Sequence, residues 1–144
     1  MNDYFPQGNW KRYVEQNGNS TANHYESKLE EFRLEVSPES KSRETGLFAF
    51  QNLNDAESYG RFNRDADHHI YELETKSFSI HNYEITSFLM KFIKTNDIKM
   101  IERNYTLMRM YWLDLDEDLY YGTNISVVPE LIIDQPALIT KVIY

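Results

Sequence analysis

Pro129-Glu130-Leu131-Ile132-Ile133-Asp134-Gln135-Pro136 opens the C-terminal end of the chain. One acid enters a short apolar run, a turn follows, and Leu138 to Tyr144 continues with alternating Ile139, Lys141 and Ile143. The pattern reads as strand, turn, strand. A link of three residues is too short for a parallel crossover, so the spacing predicts an antiparallel closing pair.

Working outward, Gly46 leads into Leu47-Phe48-Ala49-Phe50, a second short apolar run with the look of a buried strand. His69 to Glu74 alternates in part, and Phe78-Ser79-Ile80-His81 alternates strictly. Helical spacing separates these segments. Tyr25, Leu29, Phe32 and Val36 recur on a background of Glu and Lys, and Pro38 stops that helix. Asn52 or Asn54 suits the cap of a second helix carrying Ala56, Tyr59 and Phe62 and fading near Asn63. Ile85, Phe88, Leu89, Phe92 and Ile93 mark a third, and Ile98, Ile101, Tyr105, Met108 and Trp112 a fourth, split at Thr95-Asn96-Asp97. Strands and helices mix without regular βαβ alternation, which predicts an α+β fold with a mixed or antiparallel sheet and several amphipathic helices. Residues 1–23, rich in Asn, Gly and Gln, read as a loosely structured arm with a short turn at Trp10. Residues 24–144 read as a single domain.

The composition narrows the classes of function. With 144 residues, 41% hydrophobic and 15% aromatic, the chain brings too many rings to remain disordered. Fifteen basic side chains against 23 acidic ones give a net charge of -8. That balance repels phosphate backbones and anionic membranes, and it suits a basic protein partner. There is no cysteine, which excludes disulfides, thiolate metal sites and cysteine nucleophiles. Met1-Asn2-Asp3-Tyr4 has no basic and apolar leader pattern, and no apolar stretch approaches the ~20 residues of a membrane span. A cytoplasmic protein that uses no membrane is expected.

Motifs for metal and phosphate chemistry are missing. His68 and His69 are adjacent and would face opposite sides of a strand, while His24 and His81 stand alone. Asp114-Leu115-Asp116-Glu117-Asp118 begins like a calcium loop, but Leu119 stands where the required glycine belongs. No metal is expected. Five scattered glycines supply neither a phosphate loop nor a dinucleotide fingerprint. Glu130 is the one acid set in strongly apolar company, where a carboxylate must be paired or working.

Three segments together resemble bacterial families with an ADP-ribosyltransferase-like fold. Ser42-Arg43-Glu44-Thr45-Gly46-Leu47-Phe48-Ala49-Phe50 followed by Leu53-Asn54-Asp55-Ala56-Glu57-Ser58-Tyr59 is similar to the arginine-led strand and helix of such domains. His69 to Glu74 resembles the strand after that helix, and Met110-Tyr111-Trp112 with Pro129 to Pro136 resembles the transferase ending. The resemblance covers about residues 24–144. It implies an NAD-dependent mono-ADP-ribosyltransferase, with NAD as substrate and a protein or nucleic-acid acceptor. Glu130 would then be the catalytic residue that stabilises the oxocarbenium-like transition state. Arg43 would meet the pyrophosphate, and Phe50, Tyr59 and Tyr71 would hold the nicotinamide.

Two departures from that pattern support an alternative. Val128 replaces the first acid of a paired-glutamate motif, and the family's first-strand His or Arg has no counterpart in residues 1–23. The alternative is a non-catalytic acidic interaction or inhibitor protein, of a kind carried by phages or plasmids, that covers a basic site on a partner.

Overall fold

The computed structural model describes residues 3–59 and 69–143. The elements are β1 (Tyr4–Phe5), α1 (Trp10–Asn17), α2 (Ser20–Val36), β2 (Leu47–Phe50), α3 (Leu53–Tyr59), β3 (Tyr71–Glu74), β4 (Phe78–Asn82), α4 (Tyr83–Lys94), α5 (Ile98–Glu102), α6 (Tyr105–Met110), β5 (Pro129–Ile133) and β6 (Ala137–Val142). A short 3-10 turn covers Glu117–Tyr120. The strands form two antiparallel three-stranded sheets, ordered β1-β6-β3 and β2-β5-β4. The fold is therefore α+β.

Side-chain amides and carboxylates set the helix boundaries. Asn19 accepts from the Ala22 N–H to cap α2, and its own amide donates 2.7 Å to the Ile93 carbonyl. Asp97 caps α5 by accepting from the Met100 N–H. Asn96 holds φ +55 between α4 and α5, a left-handed geometry that asparagine tolerates. Its Oδ1 accepts from the Ser20 and Thr21 hydroxyls, tying that turn to the start of α2. Tyr25, Leu29 and Phe32 of α2 meet Ile85 and Leu89 of α4, Ile101, Met108, Tyr111 and Trp112 in one core. Ile132 of β5 closes it against the sheet.

Asn82 does more than cap α4. Its Oδ1 accepts from the Glu84 and Val128 N–H groups, and its Nδ2 donates 2.9 Å to the Ser126 carbonyl. Asn82 is 1% exposed and its bond to the Val128 N–H is buried, so truncation would leave that donor unpartnered in the interior. Asn82→Ala is expected to lower stability by about 1–3 kcal/mol, read as a shift in the urea midpoint at constant slope.

Three sequence expectations differ from the structure. The closing strands do not pair with each other. β5 already has β2 and β4 on its two sides, so Asp134-Gln135-Pro136 carries the chain into the other sheet, where β6 pairs with β1 and β3. Residues of the expected loose arm form β1, α1 and the first turn of α2. Trp10 stacks on Tyr13 and meets Phe48 edge-on, and Gly8 lies so close to the Gly46 carbonyl that a Cβ would stand 1.9 Å from it. The fourth helical pattern is two helices, because the Asn104 amide donates back to the Met100 carbonyl and its N–H bonds Ile101 instead. Phe62, Asn63 and His68 lie outside the described residues. Among those described, no helix is long and apolar enough to cross a membrane.

Candidate functional site

Alternation along β5 sorts its side chains between two faces. Glu130 and Ile132 turn toward the helices, together with Phe48 of β2 and Ser79 and His81 of β4, their cross-strand neighbours. Leu131 and Ile133 turn the other way, with Leu47 and Ala49, toward an opening between the two sheets.

The helix-facing side holds a buried ionic cluster. Arg43, 5% exposed, gives Nε and Nη2 to the two oxygens of Glu26 on α2, each at 2.9 Å. This is the bidentate fork that guanidinium and carboxylate form best. Its Nη1 donates 2.9 Å to the Tyr111 hydroxyl, which in turn donates 3.1 Å to Glu130 Oε1. Arg43 Nη1 itself lies 3.6 Å from that oxygen. The guanidinium also covers the Phe48 ring, 4.8 Å from its centroid. Trp10 Nε1 donates 2.7 Å to Glu26, so the N-terminal helix is fastened to the same acid.

Burial governs the charges here. It pushes the Glu130 carboxyl up from its ordinary range, with Arg43 and the Tyr111 hydroxyl acting against the rise. Burial likewise raises the Tyr111 and Tyr25 hydroxyls, so both stay neutral phenols. His81 is 2% exposed, stacks on Tyr111 at 4.8 Å and meets Trp112 edge-on. Its Nδ1 lies 2.7 Å from the Tyr111 carbonyl, which can only accept, so Nδ1 carries the proton. Nε2 then accepts from Ser79 Oγ at 2.7 Å, and that oxygen accepts from the Lys41 N–H. Burial lowers the His81 pKa to about 4, and the neutral ring is the form this network holds.

The five residues singled out by the sequence are brought together in part. Arg43 and Glu130 meet within the cluster, and Phe50 sits directly across the ladder from Glu130. Phe50, Tyr59 and Tyr83 form a ring cluster with centroids 5.1–5.8 Å apart. Tyr71 is elsewhere, packed edge-on against Phe5 in the other sheet. The fork of Arg43 expected to meet a pyrophosphate is occupied by Glu26. Glu26, Tyr111 and His81 complete the cluster without having been singled out. Glu26 stands one position off the apolar stripe of α2, and Tyr111 depends on contacts 68 and 19 residues away in the chain. Among the described residues no group of three or more His, Asp or Glu side chains is placed to hold a metal ion.

The opening beside Leu131 and Ile133 has a volume of about 690 Å³ and is lined by both sheets and α3, with every residue of β2 and of β3 taking part. Phe50 and Tyr71 reach it, and Glu130 and Arg43 do not. Compared with protein-family models, curated proteins and solved structures, the chain shows no match.

Proposed function

We propose that the protein is a non-catalytic binding module that offers an acidic surface to a basic partner protein. The observation that carries this reading is the placement of Glu130. Its Oε1 is engaged by Tyr111 beside Arg43 inside the core, and its side chain projects away from the cleft. A carboxylate that steadies a sugar cation must touch that sugar, and this one touches the protein's own core. The net charge of -8 and the exposed Asp114, Asp116, Glu117 and Asp118 then supply the means of recognition. Among the described residues none of these four acids is in a salt bridge, so their field is open to a cationic partner.

A second reading, the NAD-dependent transferase, is favoured by one observation: Phe50 and Tyr71 both line the cleft. It requires Glu130 to leave Tyr111 and reach around β5. Incubation with labelled NAD and a bacterial lysate separates the two. The binding reading expects the parent and Glu130→Gln to give the same background label. Transfer by the parent that Glu130→Gln abolishes would replace it with the transferase. Partner binding should also weaken as ionic strength rises from about 50 to 300 mM, because screening shortens with salt.

A further inference from the structure

We infer that the cleft between the two sheets is a binding site for a neutral, apolar small molecule. Protein interiors are close-packed, with few voids larger than a water molecule. Among the described residues a cleft of about 690 Å³ lies between elements of both sheets, inside the range of roughly 300–1,000 Å³ that small-molecule sites occupy.

The walls define the ligand. Leu47, Ala49, Leu131 and Ile133 come from one sheet, and Phe5 and Tyr71 from the other. Aliphatic and aromatic walls give water few partners, so an apolar molecule that displaces it is favoured. Gln51, Asn52, Thr75 and His69 also line the cleft and can answer one or two polar atoms on such a molecule, while the carboxylates of Glu72 and Glu74 in the same lining oppose an anionic one. The net charge of -8 disfavours an anion. Leu131 and Ile133 lie on the central strand, bonded on both sides, so the floor is rigid. The small side chain of Ala49 leaves the depth.

N-phenyl-1-naphthylamine, a neutral fluorophore that brightens in apolar surroundings, tests this in the full chain. The parent should bind it saturably at one site. Ala49→Ile fills the floor with a residue suited to a strand and should weaken binding at least tenfold, with the thermal transition unchanged or raised. Leu131→Phe serves as a second filling variant where Ala49→Ile fails to fold, judged by circular dichroism. No saturable binding by the parent would overturn the proposal. Undiminished binding by a folded filling variant would also overturn it, and so would displacement of the probe by micromolar NAD, which would give the cleft to a charged ligand.

Discussion

Replacing Arg43 by methionine is expected to destabilise the protein by about 3–5 kcal/mol, a large share of the roughly 5–15 kcal/mol typical of a folded domain. The chain of causes is short. Arg43 is the cation of a cluster that also holds Glu26 and Glu130, whose side chains are 13% and 9% exposed. Methionine fills much of the volume but answers neither acid, so Glu26 loses both of its guanidinium bonds and keeps only the Trp10 indole. Tyr111 loses the donor to its hydroxyl as well. Lysine is no substitute, because one ammonium cannot span both Glu26 oxygens and the Tyr111 hydroxyl in the planar fork that arginine provides. Urea unfolding with an unchanged slope reads the loss. The double variant Arg43→Met, Glu26→Gln should recover part of it, since it removes a buried charge along with its partner. A loss below about 1 kcal/mol in the single variant would show that the cluster is not a keystone of the fold.

Loss of Arg43 would be felt at a distance because the cluster joins parts of the chain that the sequence presents separately. Much of the fold is visible locally. The four-three-four spacing of Tyr25, Leu29, Phe32 and Val36 gives α2, and strict alternation gives β4. Asn52 takes the expected place at the start of α3, where its Oδ1 accepts from the Asp55 N–H. What stays hidden is tertiary. Nothing in Asp134-Gln135-Pro136 indicates that the flanking strands join different sheets, because that outcome depends on β2 and β4 having taken both sides of β5. With Trp10, Tyr13 and Val14 as its clear apolar anchors, the stretch 1–23 reads as a loose arm. The packing of the Trp10 indole on Phe48, its bond to Glu26 and the pairing of β1 with β6 explain why that segment is ordered. The site follows the same rule. Glu130 stands out in sequence as an acid among apolar residues, and it is indeed buried beside a cation. Whether such an acid faces a ligand or the core is decided by one residue of strand register, which composition does not reveal.

Acidification from pH 7 to 4 should draw on His81. Burial lowers its folded pKa to about 4, below the ordinary 6.5. On lowering the pH, the unfolded chain therefore takes up this proton first, and stability is lost from near 6.5 downward until the folded ring also protonates. The full gap corresponds to roughly 3 kcal/mol at 25 °C. Glu130 opposes it. Its folded pKa is raised, so its contribution is present at low pH and is lost as the pH rises through the folded value. The facing groups leave no place for a second proton on the ring. Arg43 disfavours a second cation, Trp112 and Tyr111 offer apolar faces, and the Tyr111 carbonyl already has the Nδ1 proton. His81→Asn keeps a donor for that carbonyl and cannot protonate. Its absolute stability should fall through lost stacking, yet its stability should change less between pH 6.5 and 4.5 than the parent's. Glu130→Gln should do the reverse, steepening the loss on acidification because the opposing carboxyl is gone. Parallel pH profiles for the parent and His81→Asn would mean that the buried ring accepts its proton without cost, and the assigned tautomer network would fall with it.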